Sequence, residues 1–397
     1  MAGTTLDRLG FLLEDADVAT LNKVAAGTYA TTILPRQRKA WAEVAAVAKV
    51  APLSDVASAV ASLRKSGKLK NMVRGGIPPE LRAKVWPLLC GAEQKRMALN
   101  EHDYYARLLR TVEATEAADT AARAAAEGMR VAGDPPRASW ETLDTLEQID
   151  KDLKRTFPKH RLIGTAEGQA SMRRVLRAYC AGRNPRTGYC QGMNFLAGML
   201  LCAMSDDGAG GVGAGSAATN QFTKPSSQEG LFVASILTPA VEENAFWMMV
   251  VLIERLLPSD YYTDGLTGVR VDSQILLDLV TARLPSLAAH LEATQVDVML
   301  PMVTTQVRDL ARISALRDLP SPRSIHTSRC CWCGVNVNVV STQWFIALFV
   351  LWLPTETLLR LWDCFLADSL KSKHTSPSRT IGATWPHPPP TVPCYPR

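Results

Sequence analysis

Apolar residues recur along most of this chain at the spacing of amphipathic helices. Within residues 171–180 the apolar side chains fall on one face and three arginines fall on the other, which predicts a helix. The same spacing predicts helices over 190–204, 241–257, 272–284, 341–353 and 355–366. Alternating apolar and polar runs bounded by turn pairs, which are typical of strands, are hard to find. The sequence therefore predicts an all-α, multi-helix fold rather than an α/β fold.

Two segments interrupt the helical pattern. Residues 205–230 are rich in Gly, Ser and Ala, which predicts a flexible surface insertion between two helices. Residues 369–397 are rich in Ser, Thr, Pro and His, and this composition predicts a disordered tail. Residues 1–70 carry helical segments but no motif that can be tied to chemistry, so they are interpreted as an N-terminal helical extension.

Composition narrows the class of protein. With 397 residues, 47% hydrophobic and 21% charged, the chain can bury one large core or two modest ones. The net charge of +6 is mild for this length, which argues against a nucleic-acid partner. Charged residues interrupt the N-terminal stretch, and the apolar run 344–353 is too short to span a bilayer. The nine cysteines lie mostly in apolar surroundings and are expected to be reduced, so a cytoplasmic protein without a transmembrane segment is predicted.

The first segment with chemical interest is 74–91, RGGIPPELRAKVWPLLCG. Pro78 and Pro79 suit a first helical turn, and Gly91 is placed to end the helix. Arg82 and Trp86 are four residues apart and share a face of this helix. From this segment alone, an ordinary amphipathic core helix is the favoured interpretation.

The second segment, 149–158, reads IDKDLKRTFP. Its apolar stripe leaves Asp152 and Arg155 as neighbours on another face, and Pro158 is expected to stop the helix. Arg155 is then predicted in the last helical turn, where the carbonyl end of the helix dipole favours a cation that projects toward a docking molecule. A surface Asp–Arg pair of little energetic value is the alternative interpretation.

The third segment, 184–194, reads NPRTGYCQGMN. Gln191 lies near the start of the next helix and is close to Gly188 and Gly192, which allow another molecule to approach the backbone. An amide side chain both donates and accepts hydrogen bonds, as the orientation of an attacking water requires. A glutamine that caps or packs locally remains the alternative for this segment.

Taken together and in this order, the three segments resemble the TBC-domain family of Rab GTPase-activating proteins. The first matches the pattern R-x-G-I-P-x-x-x-R-x-x-x-W through Arg74, Gly76, Ile77, Pro78, Arg82 and Trp86. The second matches I-x-x-D-x-x-R through Ile149, Asp152 and Arg155, and the third matches Y-x-Q-G through Tyr189, Gln191 and Gly192. Further matches at 242–247, 343–345 and 361–363 extend the resemblance over residues 71–368.

The resemblance implies that this chain accelerates GTP hydrolysis by a Rab-family GTPase in its GTP form and so regulates vesicle trafficking. It implies that Arg155 is an arginine finger for the transferred phosphoryl group and that Gln191 positions the attacking water. The three-residue spacing allows Asp152 to orient Arg155. The resemblance further implies supporting roles at the site for Tyr189, Gly192, Arg74, Arg82 and Trp86. The partner would bring GTP and Mg²⁺ and recruit this chain peripherally to endomembranes. A non-catalytic Rab-binding or scaffold protein with the same domain is the alternative, and a purely structural helical protein is a third.

No nucleotide site, cofactor or metal of the chain's own is expected. The glycine cluster at 208–215 lacks the Lys-Ser/Thr that ends a phosphate-binding loop. The cluster 330–333, CCWC, lacks the second pair of ligands that a structural zinc site needs.

The sequence departs from the family in two places. Some forty residues, about 301–340, stand where the family usually has only a few, and they are interpreted as an atypical insertion. After Asp363 the family continues with further packed helices, whereas this chain changes to its Ser/Thr/Pro-rich tail. A domain truncated in this way is expected to expose apolar faces of 341–366.

Overall fold

The computed structural model describes residues 5–7, 9–13, 27, 29–47, 56–99, 101–128, 141–205, 236–263, 265–293 and 337–368. Over these ranges the chain is almost entirely helical, which confirms the all-α fold predicted from the sequence. The exception is a short antiparallel pair, β1 (Thr5–Leu6) and β2 (Leu12–Leu13). The insertion 205–230 beyond Ser205, the insertion 301–340 before 337 and the tail 369–397 lie outside the described residues, so their interpretations stay predictions.

The N-terminal part of the chain contributes five helices to the described residues, and proline and glycine set the limits of the fourth. They are α1 (Leu34–Val47, entered through a π-helical turn at Tyr29–Ile33), α2 (Val56–Lys65), α3 (Leu69–Gly75), α4 (Pro79–Cys90) and α5 (Ala92–Ala98). In α4, proline stands at the first helical position and Gly91 follows with a left-handed φ of 79°, which confirms the predicted bounds. α1 is tied to the residues around α4 because the Trp41 Nε1 donates to the Gly76 carbonyl at 2.8 Å. The N-terminal extension and the predicted domain are therefore in contact across residue 70.

The middle of the chain supplies five helices, and the first of them is the longest helix in the part of the chain that the structure describes. They are α6 (Tyr104–Gly128), α7 (Glu141–Leu153), α8 (Ala166–Arg177, continued by a π-helical stretch at Ala178–Arg183), α9 (Met193–Ser205) and α10 (Pro239–Val251, continued at Leu252–Leu256). The side-chain oxygen of Thr165 accepts the N–H of Gly168 at 3.0 Å and so caps α8. The predicted apolar face of 171–180 is buried, and arginines on the opposite face form ion pairs with Asp150, Glu116 and Glu242. The amphipathic interpretation of this segment is confirmed.

The last helices are α11 (Thr267–Arg283), α12 (Pro285–Ala293), α13 (Val337–Ile346) and α14 (Thr355–Asp368). The prediction of one helix over 341–353 was wrong in its end, because α13 stops at Ile346. Leu348 and Phe349 have left-handed φ angles of 46° and 67°, which an α-helix cannot accommodate. The turn is held by long-range contact, since Trp362 Nε1 donates to the Leu348 carbonyl at 3.0 Å.

The core is built around α9. From Met193 to Met204 every side chain except that of Phe195 is buried, as expected of a helix surrounded by protein on all sides. α9 packs against α10, α8 and α4, and each fully buried Leu or Met side chain contributes about 1.5–3 kcal/mol to folding. This central helix begins two residues after Gln191, so the core fixes the chain that follows the predicted glutamine.

The expectation that 341–366 would expose apolar faces was wrong. Phe345 and the residues from Ala347 to Val350 are buried, and so is the apolar face of α14. Among the described residues, the large apolar side chains that are clearly exposed are Ile33, Met97, Leu99 and Val271, which lie elsewhere. α14 packs against α3 and α4, and α13 packs against α11, so contacts with earlier helices cover these faces.

Candidate functional site

Arg155 lies in a turn just beyond the end of a helix. α7 ends at Leu153, so the prediction that Arg155 occupies the last helical turn was wrong by two residues, and the helix ends well before Pro158. The N–H groups of Arg155 and Thr156 donate to the carbonyls of Asp152 and Leu153, both at 3.1 Å, and these bonds tighten the chain as it leaves the helix. The Arg155 side chain is 55% exposed. Its guanidinium therefore stands at the surface on a backbone that is fixed by hydrogen bonds.

Asp152 binds this guanidinium from the protein interior. Its side chain is 1% exposed, and its Oδ1 accepts hydrogen bonds from Arg155 Nε at 2.9 Å and Arg155 Nη2 at 2.6 Å. Both donors of one guanidinium edge thus meet the same carboxylate oxygen. A buried carboxylate needs such compensation, because an unpaired charge in the protein interior costs several kcal/mol. The predicted pairing of Asp152 with Arg155 is present in the structure.

Tyr189 completes the coordination of Asp152 from the third segment. The Tyr189 hydroxyl donates to Asp152 Oδ2 at 2.7 Å. Burial, followed by the hydrogen bond to Asp152 and the charge of that carboxylate, raises the pKa of Tyr189 well above its usual value. The phenol is therefore always a donor at physiological pH. It connects the chain segment that carries Gln191 directly to the residue that holds Arg155.

A second hydrogen-bonded path links the same two segments through the interior. Thr156 Oγ1 donates to the Asp152 carbonyl and accepts from Asn194 Nδ2, both at 2.7 Å. Asn194 Oδ1 in turn accepts the backbone N–H of Gly192 at 2.9 Å. Sequence reasoning missed Thr156 and Asn194. The available signal was their position, because Asn194 is a polar residue at the start of an apolar helix and is 0% exposed.

The Gln191 side chain is exposed, and its loop is fixed mainly by the neighbouring residue. Gly192 has a φ of 115°, which only glycine adopts readily, and a Cβ at this position would overlap Cγ2 of Ile346. Ile346 is fixed because its carbonyl accepts the Tyr262 hydroxyl at 2.8 Å. Gly192 is thus required for close packing inside the protein, whereas the sequence interpretation assigned it to the approach of another molecule.

Cys190 separates Tyr189 from Gln191 and is half-buried. Burial raises the pKa of its thiol to about 11, and the nearby Asp152 carboxylate adds to this effect. The thiol is therefore protonated at neutral pH and does not add a nucleophile to the site.

The residues of the first segment belong to a separate cluster around Asp363 on α14. Arg82 Nε and Nη2 donate to the two oxygens of Asp363 at 3.2 and 3.3 Å, and Trp86 Nε1 donates at 2.8 Å. The backbone N–H of Ile77 also donates to Asp363 at 3.4 Å. Arg82 is 1% exposed and Asp363 is 0% exposed. Arg82 and Trp86, two of the predicted supporting residues, are thus buried, and their hydrogen bonds join α4 to α14.

Arg74 lies at the edge of the same cluster. Its carbonyl accepts a hydrogen bond from Arg360 Nη2 at 2.6 Å, and its guanidinium is 3.7 Å from Asp368. Across the candidate site, Arg155 and Tyr189 both donate to Asp152, and the path through Thr156 and Asn194 connects this group to Gly192 beside Gln191. The structure places Arg74, Arg82 and Trp86 in the cluster around α14.

Comparison with known families identifies the domain. The model of the Rab-GTPase-TBC domain family matches residues 79–307, which is more than half of the 397-residue chain. The chain belongs to the Rab-GTPase-TBC domain family. Within this TBC chain, the matched range contains Arg155, Gln191 and all the residues that connect them, whereas the N-terminal strands and α14 lie outside it.

Individual relatives agree with this assignment. The TBC chain is 28% identical over 322 residues to TBC1 domain family member 2A of Rattus norvegicus, covering 81% of this chain and 24% of that protein. It is 31% identical over 314 residues to Growth hormone-regulated TBC protein 1 of Mus musculus, covering 78% of this chain and 62% of that protein. The corresponding protein of Xenopus laevis is 29% identical over 314 residues, with 78% and 61% covered. The chain thus spans less than two thirds of the length of each of these relatives.

A solved structure confirms the fold. The crystal structure of the Chlamydomonas flagellar RabGAP TBC domain superimposes with a TM-score of 0.54 at 20% sequence identity, covering 95% of this chain and 84% of that one. At this identity the likeness establishes the all-α TBC architecture and nothing finer.

Two absences apply to the described ranges only. Within them, no helix combines the length and the apolar character that crossing a membrane requires. The same ranges contain no group of three or more His, Cys, Asp or Glu side chains arranged to hold a metal ion. The cysteine cluster at 330–333 lies outside the residues that the structure describes.

Proposed function

We propose that this TBC chain is a GTPase-activating protein for Rab-family GTPases and that it works through Arg155 and Gln191. The observation that carries the proposal is the exposed guanidinium of Arg155, which the buried carboxylate of Asp152 binds. Hydrogen bonds from Tyr189 and through Asn194 connect this arrangement to the loop that carries Gln191. Family membership supports a Rab partner, and the Chlamydomonas TBC domain is itself described as a RabGAP.

Arg155 is proposed as the residue that stabilises charge on the transferred phosphoryl group. Phosphoryl transfer to water passes through a loose transition state whose charge spreads over the phosphate oxygens. A guanidinium offers five N–H donors in a planar fork, and the bonds to Asp152 engage only Nε and Nη2. The remaining N–H groups do not bind that carboxylate and can donate to an incoming anion. Because Asp152 fixes the rotamer in advance, less entropy is lost when the phosphate arrives.

Gln191 is proposed as the residue that orients the attacking water. Its exposed amide carries a donor and an acceptor, and its backbone is fixed through Gly192 on one side and Tyr189 on the other. Supplied in trans, this amide would replace the glutamine that a Rab protein normally provides. Asp152 and Tyr189 then act as positioning residues for Arg155 and Gln191.

The partner in this proposal is a Rab GTPase in its GTP form, and it supplies GTP and Mg²⁺ with its own binding site. Membrane association would be peripheral and would follow from recruitment by that partner. The cellular process would be regulation of vesicle trafficking on endomembranes from the cytoplasm.

The test compares hydrolysis rates in a two-by-two design, with the Rab switch glutamine and Gln191 each present or replaced. We expect wild-type protein to accelerate a Rab that lacks its own glutamine, and Gln191→Ala to lose this rescue. A protein that only binds Rab would accelerate neither substrate. Acceleration that depends on the Rab glutamine and ignores Gln191 would reject the assignment of Gln191. Circular dichroism of each variant controls for folding.

A further inference from the structure

The N-terminal hairpin, described over residues 5–7 and 9–13, is organised by Asp7. Asp7 Oδ1 accepts the backbone N–H groups of Leu9, Gly10 and Phe11 at 3.0, 2.9 and 2.9 Å. The backbone N–H of Asp7 donates to the Phe11 carbonyl at 2.9 Å, and Gly10 adopts a φ of 98°. Asp7 Oδ2 accepts a hydrogen bond from Thr355 Oγ1 at the start of α14. The hairpin is therefore a defined structure attached to the C-terminal helix.

This hairpin packs directly on the turn that follows Arg155. The Phe11 ring lies edge-on to Phe157, with centroids 5.0 Å apart, and edge-on to His160, with centroids 4.3 Å apart. The Arg161 N–H donates to the Gly10 carbonyl at 3.2 Å. Leu9 is 1% exposed and belongs to the main core. Among the described residues, the hairpin thus contacts the turn through the Phe11 ring and through the backbone at Gly10 and Leu9.

Phe157 is the residue of that turn that most needs support. Its φ of 45° is left-handed, a conformation that is unfavourable for a non-glycine residue and persists only where the surroundings impose it. The Phe157 ring is clamped between Phe11 and Phe195, whose centroid is 5.3 Å away on α9. Phe157 follows Arg155 by two residues, so a relaxed Phe157 would change the course of the backbone that carries the guanidinium.

We propose that the N-terminal hairpin is a positioning element for Arg155, with Phe11 as its main contact residue. The hairpin lies outside the family match at 79–307, and its described residues contact the turn after Arg155 and the start of α14. It acts by fixing Phe157 and His160, which set the path of the turn. The inference rests on the proposed function for its catalytic consequence, but its structural part stands independently.

The experiment compares full-length wild type, Phe11→Ala, Phe11→Tyr and Leu63→Ala. Leu63 is a buried residue of α2, a helix that packs on α1, α3 and α4, so its truncation controls for general loss of stability. Single-turnover hydrolysis is measured against increasing activator with a Rab protein that responds to wild type. We expect Phe11→Ala to lower the maximal rate about tenfold or more, because small misplacements of a catalytic group have large effects, with the half-saturating concentration unchanged. Phe11→Tyr keeps the ring and should restore the rate.

Hydrogen exchange provides a readout that does not depend on GTPase activity. The amides of Arg155 and Thr156 donate to carbonyls at the end of α7, and that of His160 donates to Phe157, so all three report on the order of the turn. We expect faster exchange at these amides in Phe11→Ala and not in Leu63→Ala. Equal exchange in the two variants, or a rate loss that Leu63→Ala reproduces, would overturn the proposal. If wild type accelerates no Rab protein, faster exchange confined to the turn would support positioning while the proposed function fails.

Discussion

Asp152 and Asp363 are both buried carboxylates that bind an arginine and the donor group of an aromatic side chain, yet their arginines differ in exposure. Arg155 on Asp152 is 55% exposed, whereas Arg82 on Asp363 is 1% exposed. Tyr189 serves Asp152 and Trp86 serves Asp363, so the two clusters use similar chemistry. In the Asp152 cluster the carboxylate anchors a guanidinium that reaches solvent. In the Asp363 cluster the guanidinium is buried, and its ion pair joins α4 to α14.

This difference separates residues that hold the fold from residues available for chemistry. All of Asp152, Arg155, Arg82 and Trp86 lie in motif segments, and their spacing within those segments gives no indication of which arginine is free. Exposure gives that indication, because a fully buried arginine cannot meet a partner. We therefore expect changes in the two clusters to affect different observables, with rate sensitive to the first and stability sensitive to the second.

The largest effect should follow from replacing Arg155. Arg155→Ala should reduce acceleration of Rab GTP hydrolysis by roughly 10³–10⁵, equivalent to about 4–7 kcal/mol of barrier. Arg155→Lys should also lose most of it, because an ammonium cannot reproduce the planar fork. Binding should change little. Thermal stability should fall by less than in Arg82→Ala, because removal of an exposed side chain lets water reach Asp152 while Tyr189 still donates to it. Near-full acceleration by Arg155→Lys, in assays that measure rate and affinity side by side, would refute the arginine assignment.

Arg82→Ala should have the next largest effect, and on stability rather than on the chemical step. Removing the guanidinium leaves Asp363 buried with part of its charge uncompensated, which costs about 3–5 kcal/mol. Urea unfolding monitored by circular dichroism measures this loss. Arg360→Ala is the matched control, since Arg360 also contacts Asp363 at 3.2 Å but is 28% exposed. A stability loss no greater than that of Arg155→Ala would remove the distinction between the clusters.

Tyr189→Phe tests the hydrogen bond to Asp152 alone. The phenyl ring keeps the packing but leaves Asp152 Oδ2 without its donor, and a hydrogen bond to a charged group is worth about 1.5–3 kcal/mol. Part of this loss should appear in the rate, because Asp152 would hold Arg155 less firmly. Stability and single-turnover rate should therefore both fall. A fall in stability with an unchanged rate would show that Tyr189 has no influence on the Arg155 side chain.

The smallest effect concerns mild acid and the turn after Arg155. Burial lowers the pKa of His160 to about 4, whereas an unfolded histidine titrates near 6.5. Between these values the unfolded chain binds the proton more strongly, so stability falls as pH falls. From pH 7.5 to 6 this group should contribute a loss of about 1 kcal/mol. In the folded protein, His160 Nδ1 accepts the N–H groups of Leu162 and Ile163, both at 3.0 Å.

His160→Asn should retain an acceptor for these N–H groups while removing the titration. Unfolding free energies at the two pH values, compared between wild type and His160→Asn, isolate the contribution of this histidine. An identical pH dependence in both proteins would contradict the assignment.

Local features of this fold could be predicted from the sequence, and long-range ones could not. Pro79 and Gly91 set the limits of α4 through backbone preferences that act within a single turn. The end of α13 depends on Trp362, which binds the Leu348 carbonyl from another helix, so no pattern within 341–353 predicts it.

The same difference between local and long-range features applies to the candidate site. The Asp152–Arg155 pair follows from three-residue spacing, whereas the Tyr189 contact spans 37 residues of sequence.

The partner of Arg82 was beyond sequence reasoning for the same reason. Asp363 is 281 residues away, and its presence in a matched motif did not connect it to the first segment. Thr156 and Asn194 were missed because small polar residues beside an apolar run are also common at the surface. Only their burial, at 0% exposure each, marks them as parts of an internal hydrogen-bond path.

The thiol of Cys190 gives the glutamine loop a chemical property of its own. With a pKa of about 11, it is a thiolate in only roughly one molecule in 10⁴ at pH 7, so oxidants and alkylating reagents attack it slowly. This protection depends on the packing of the loop, because an exposed cysteine returns to a pKa of about 8.5. A change that loosens the packing of this loop is therefore expected to raise the reactivity of the Cys190 thiol toward such reagents.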